Sequence, residues 1–296
     1  MSVVGSGTIY DLGYRRYDGP RLGRQAAVRA LFEHSVRVVW GIGRGTRAKV
    51  VPMGLAALAA LPAVVALGIA AIARQFGGSA DELSPIRYET YVPYVSGIVF
   101  LFAAAQAPEL LGRDQRYGVL SLYFARALRR EDYVAARLAA FMLSLLALIV
   151  VPQALLFVGR ALAAPDIVVA ASRDLPELPP VLAQAFATAG VLGGLALAIA
   201  AFTPRRAYAT AAIIAVVTAM PVVAQIGGRA ARSVGGEVLT LVSPPHILEA
   251  TNAVFFGGRI VGVGSGIAGQ WYVMAAIAIS LGSLAVLLRR YRSLVP

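Results

Sequence analysis

Six runs of apolar residues constrain this chain more than anything else in it, each near the ~20 residues a helix needs to cross a hydrocarbon core. They are Val50–Ala73, Tyr91–Ala107 (prolonged by Leu110-Leu111), Tyr133–Val158, Val181–Phe202, Ala207–Ile226 and Gln270–Leu288. No Asp or Glu lies inside any of them. Pro62, Pro93, Pro152 and Pro221 fall within the runs, which spanning helices tolerate when neighbours re-satisfy the freed carbonyls. Charged residues make up 14% of the chain, against about 25% in a soluble domain. The expected fold is therefore an all-α integral membrane protein with six transmembrane helices: residues 1–49 form an N-terminal segment, 50–288 the spanning domain and 289–296 a tail. No continuous apolar run begins before about Val50, so a cleavable signal peptide is not expected.

The net charge of +12 says little until the charges are placed. Nearly all of it sits in the connections between runs, which argues against a nucleic-acid partner. Met1–Lys49 carries nine Lys and Arg, Pro108–Asp132 five, Thr203–Arg206 two and Arg289–Pro296 three. The alternating segments carry seven: Arg74, Arg87, Arg160, Arg173, Arg229, Arg232 and Arg259. This asymmetry places both termini and the 108–132 loop in the cytoplasm, and 227–269 outside, in a bacterial-type plasma membrane.

Two segments outside the runs carry helical periodicity. In the first, Val28, Leu31, Phe32, Ser35, Val36, Val39 and Ile42 form one face. Arg29, Glu33, Arg37 and Arg44 form the other, so an amphipathic helix at the membrane interface is expected just before the first span. The second is the charged island Gly112–Arg137. Val119, Leu120, Tyr123 and Ala127 recur there at helical spacing among Arg113, Arg116, Arg126, Arg129 and Arg130. A short amphipathic helix in that place either lies on lipid or docks onto something in the cytoplasm. On the opposite side, Ser243-Pro244-Pro245 marks a helix start with Ser as N-cap. Ile247, Leu248, Thr251, Val254 and Phe255 then give an apolar stripe that stops at Gly257-Gly258, so a short helix at or dipping into the outer interface is expected. The glycines of the following GRIVGVGSGIAG lack the strand-and-helix setting of a nucleotide fingerprint and read as a flexible loop.

Several chemistries are missing. The chain has no cysteine, and Lys49, its single lysine, follows Arg47-Ala48, which cannot form a P-loop. Its two histidines, His34 and His246, have no neighbouring ligand cluster in the sequence, so no metal and no catalytic residue is expected. The only charge within a run is Arg137, one turn from a span end and able to snorkel to the interface. Polar side chains at depth are Ser144, Gln184, Thr188, Thr210, Thr218, Gln225 and, nearer an end, Gln106. Gln106, Gln184, Thr188 and Gln225 are candidates for a translocation path or for hydrogen bonds between helices. A proton- or sodium-coupled carrier usually needs intramembrane carboxylates. Energy for any active transport must come from outside this chain.

The run Pro108-Glu109-Leu110-Leu111-Gly112-Arg113-Asp114-Gln115-Arg116-Tyr117-Gly118-Val119-Leu120 resembles a motif of the ABC-2 type permeases, the membrane subunits of type V ABC transporters. Tyr123-Phe124-Ala125-Arg126-Ala127 through Asp132-Tyr133 is similar to that family's L-x-x-R-P-x-x-R-x-x-Y continuation, with Ala127 where proline is usual. Arg137 stands where lysine is commoner, and Ser243-Pro244-Pro245-His246 resembles an outer motif of these permeases. The resemblance covers nearly the whole chain and implies an elbow helix, six spans, a coupling helix between spans two and three, and an outer helical element before span six. It also implies the partners: a second permease protomer, and two ABC ATPase subunits that bind ATP and Mg and dock on the coupling helix. Docking would involve Arg113, Asp114, Tyr117, Leu120 and Tyr123, with Arg126 and Arg130 at the rim. The function implied is that of a permease subunit of an ATP-driven exporter, not itself an enzyme. A membrane-embedded enzyme acting on lipid and a non-transporting scaffold subunit are the alternatives.

Overall fold

A backbone in hydrocarbon must satisfy its own N–H and C=O groups, and a run of ~20 apolar residues does so as a helix. The computed structural model describes residues 19, 22–76, 86–125, 128–231 and 237–293; of these, 85% are helical and none is in a strand. In chain order the helices are α1 (Gly23–Val39), α2 (Thr46–Gln75), α3 (Tyr88–Arg116), α4 (Leu120–Phe124), α5 (Arg130–Ala163), α6 (Ile167–Asp174), α7 (Leu178–Phe202), α8 (Arg206–Ala231), α9 (Pro244–Phe255) and α10 (Gly269–Ser293). Six stretches among the described residues are long and apolar enough to span a membrane, carried by α2, α3, α5, α6–α7, α8 and α10. The chain is a multi-pass, all-α membrane protein.

The helices outrun the apolar runs. The second run reads as the shortest, yet α3 has 29 residues, or about 44 Å at 1.5 Å per residue, against a hydrocarbon core of about 30 Å. Hydropathy marks only the part that lipid must tolerate; the charged continuation Glu109–Arg116 stays helical because its side chains find partners at the bundle end.

At the centre stands α7, with 72% of its span's most apolar stretch buried, against 22% for the spans of α2, α8 and α10. It packs on α10, α5 and α3. Small residues allow this. A Cβ on Gly190 would sit 2.7 Å from Ser280 Oγ, and one on Gly194 would sit 3.0 Å from Ser283 Cβ, both on α10. Gly193 faces Leu145 and Phe141 of α5. Close approach at small residues is how helices gain packing energy where lipid is as apolar as leucine.

Helix α1, expected at the membrane interface, packs against the bundle. Of its buried residues, Leu31, Ser35 and Val39 belong to the expected apolar face and Val38 does not; the helix packs on α5 and α3, and Ile42 is exposed. The Arg29–Glu33 pair forms at 2.8 Å on the polar side. The helix ends at Gly41 (φ 66°), whose N–H reaches the Val38 carbonyl while the Ile42 N–H reaches that of Arg37. This is a Schellman end, and a Cβ at Gly41 would lie 2.5 Å from the Ala48 carbonyl oxygen.

At the opposite end of the bundle, α9 starts at Pro244 as the sequence indicates, with Ser243 in the N-cap position. The Ser243 hydroxyl, however, pairs with His246 Nδ1 at 3.0 Å instead of capping the backbone. Helix α9 dips into the bundle: Ile247 and Thr251 are fully buried, Gln184 Nε2 donates to the Leu248 carbonyl at 2.9 Å, and Thr251 donates to Gln184 Oε1 at 3.2 Å. The glycine-rich stretch after it is pinned rather than free. Tyr272 donates to the Gly264 carbonyl at 3.1 Å, and Glu237 accepts the Gly266 N–H at 3.0 Å. The short helix α6, capped by Asp166 on the N–H groups of Val168 and Val169, has no counterpart in the sequence reading. Its Asp174 gathers the Tyr88 hydroxyl (3.0 Å) and Arg160 (3.1 Å), tying the start of α3 to the end of α5.

Candidate functional site

The arginine-rich connections meet at one end of the bundle, and carboxylates from the 108–132 segment hold them there. Asp132 takes the Arg24 fork at 2.6 and 2.7 Å, joining α1 to the start of α5. Glu109 accepts from Arg44 at 3.3 Å and from Arg206, joining α3 to the start of α2 and to the α7–α8 connection. Glu131 pairs with Arg292, and Arg130 donates to the Arg292 carbonyl at 2.8 Å, which brings in the end of α10. Gln115 adds bonds to the Ala201 carbonyl (3.1 Å) and the Tyr291 hydroxyl (3.0 Å). The sequence grouping of basic segments on one side thus has a geometric counterpart.

Its deepest element is the Asp114–Arg137 ion pair. Arg137 does not snorkel. It is 2% exposed, its Nη1 donates to Ser35 Oγ at 3.0 Å, and its guanidinium lies 5.2 Å from the Tyr133 ring centroid. The Tyr133 hydroxyl donates to the same Asp114 carboxylate at 2.8 Å. Snorkelling is set aside because Asp114, 23 residues earlier and carried on the extended end of α3, and Ser35 of α1 both partner the guanidinium inside the bundle.

The island itself departs from the expected single helix. Arg113 and Asp114 belong to the last turns of α3, which stops at Gly118 (φ 64°) in a second Schellman end: Gly118 N–H to the Gln115 carbonyl, Val119 N–H to that of Asp114. Helix α4 is then only five residues long. Its Leu120, Tyr123 and Phe124 pack inward against the core, with the Tyr123 ring tilted at 5.8 Å and the Phe124 ring edge-on at 5.9 Å from Tyr133. The residues left outward are Tyr117 and Leu122, each 67% exposed. Arg126 and Ala127 lie outside the described residues. Helical periodicity identified an apolar stripe here, but that stripe belongs to this chain's own packing.

Arg113, Asp114, Tyr117 and Tyr123 line a cavity of about 560 Å³ together with His34, Arg44, Glu109 and Arg137. Desolvation, and then the charge of Arg137, pushes the His34 imidazole below its ordinary range. Burial followed by repulsion from Arg113 lowers Arg44 as well.

The polar candidates within the spans separate. Gln184 bonds across to α9, and Thr210 donates to the Ala104 carbonyl at 3.0 Å across α8 and α3. Thr188, Ser144 and Thr218 bond back to their own helices. Gln106 is buried, and Gln225 is exposed on α8, so it makes no contact inside the bundle core. Gln153 is missing from the sequence selection, although it is 2% exposed with neither amide atom hydrogen-bonded. Its place beside Pro152 in the third run was the available signal. Among the described residues no group of His, Cys, Asp and Glu could hold a metal.

Comparison with protein-family models gives no match, and comparison with curated proteins gives none. The class that fold and site define is a six-span helical membrane protein with an ion-paired platform at one end.

Proposed function

We propose that this chain is the membrane-spanning subunit of an ATP-driven transporter, an exporter of the ABC-2 type, whose ATP hydrolysis resides in separate ATPase subunits. One observation carries the proposal. The α3 end and α4 present Tyr117 and Leu122 outward, while the α3 end is tied by ion pairs or hydrogen bonds to α5, α7, α8 and α10. A force applied at α4 therefore reaches Tyr133 of α5 by ring contact, and through the adjoining α3 end it reaches several spans by ion pairs and hydrogen bonds. That is what a coupling element must do, and a helix resting on lipid has no need of it. The motif resemblance around Gly112–Tyr133 supports the same reading. Two protomers would complete the unit. Gly190, Gly193 and Gly194 are already used against α10 and α5, so the dimer face lies elsewhere.

Co-purification with an ABC ATPase whose hydrolysis the membrane subunit stimulates is the direct test; a transport-active preparation without any ATPase overturns the proposal. The orientation has its own test, because the chain lacks cysteine. Ser293→Cys and Val261→Cys both place a thiol at an exposed position. In intact cells an impermeant maleimide is expected to label the Val261→Cys protein and spare the Ser293→Cys protein until the membrane is opened. The reverse pattern would invert the topology.

A further inference from the structure

We infer that the cavity between α1, the end of α3, α4 and α5 is a binding site for a phosphate-bearing anion, on a lipid headgroup or free in solution. This goes beyond the transport reading and does not need it. The cavity, about 560 Å³, brings together Arg44, Arg113 and Arg137 with only two carboxylates, Glu109 and Asp114. Both carboxylates are already engaged twice. Glu109 holds Arg44 and Arg206, and Asp114 holds Arg137 and the Tyr133 hydroxyl. Arg113 is exposed and forms no ion pair among the described residues. Its charge instead presses on Arg44 and His34. Arg137 is 98% withdrawn from solvent, yet its Nε has no hydrogen-bond partner.

An excess of guanidinium groups held close together, in a partly desolvated cavity, is stabilised by an anion with several acceptor oxygens. Phosphate fits that chemistry, and Arg113 and Arg44 can donate to it from the wall. Tyr117 and Tyr123 line the same space and bring hydroxyl groups. The cavity sits where α1 meets the ends of α3 and α5, beside the ends of apolar spans, where a lipid headgroup and a soluble anion could both reach it.

The test uses the full chain in two arms. In neutral detergent, inorganic pyrophosphate is titrated while thermal unfolding is followed; in phosphate-free buffer, nanodiscs of phosphatidylcholine alone are compared with nanodiscs containing phosphatidic acid, and retained lipid is counted by native mass spectrometry. A stabilising shift or selective retention in either arm is expected, and the responding arm names the source. Arg113→Gln should weaken that response at least tenfold with the unliganded melting temperature unchanged, because Arg113 makes no structural ion pair. Arg259→Gln, at the opposite end of the bundle, should leave it intact. No response in either arm, a wild-type response from Arg113→Gln, or equal losses from both variants overturns the site.

Discussion

Replacing Arg137 with methionine is expected to destabilise the folded protein by about 3–5 kcal/mol, the cost of stranding one half of a buried ion pair. Asp114 would then keep only the Tyr133 hydroxyl, at a side-chain exposure of 14%. Asp114→Asn should cost a similar amount from the other side, since it leaves a guanidinium at 2% exposure facing Ser35 and the Tyr133 ring without its counter-charge. The double substitution Asp114→Asn with Arg137→Met should recover most of the loss, because it removes both charges together. Chemical or thermal unfolding of the four proteins in one detergent measures the coupling as a double-mutant cycle. Single variants within about 0.5 kcal/mol of wild type, as surface changes usually are, would show that the pair is not the deep link between α3 and α5 described here.

Leu122→Asp is expected to abolish capture of the ATPase at least tenfold while leaving the protein folded in the membrane. A carboxylate pressed unpaired into a protein groove costs several kcal/mol, and each ~1.4 kcal/mol is tenfold in affinity. Leu122 is 67% exposed and is not among the residues packed against the core. Leu120→Asp and Tyr123→Asp act differently. Both side chains are packed against the core, so those changes should lower the melting temperature of the isolated subunit before any partner is added. Pull-down of the ATPase, read beside the melting temperature of each variant, separates the two cases. Wild-type capture by the Leu122→Asp protein would move the docking surface away from α4.

Leu120 and Tyr123 also show where sequence reading stops. Their spacing with Val119 and Ala127 marks a short helix with an apolar stripe, and α4 begins there. Whether the stripe faces a partner or its own bundle depends on where Tyr133 and Tyr291 stand, and Tyr133 lies ten residues downstream across a turn.

The sequence by itself determined how many times the chain can cross a bilayer, which connections share an end, and that short helices lie near α1 and α9 outside the spanning runs. Those properties follow from single residues meeting either water or hydrocarbon, an energy difference large enough to read one position at a time. Only the tertiary structure decided which faces meet. It brought Arg137 to Asp114, Glu109 to Arg44 and Arg206, Gly190 to Ser280, and Gln184 to α9. Within a membrane an apolar side chain gains almost the same transfer energy against lipid as against a neighbouring helix. Periodicity in the runs therefore carries little information about the interior, and the pairing is left to close packing, hydrogen bonds and ion pairs between residues up to 176 positions apart.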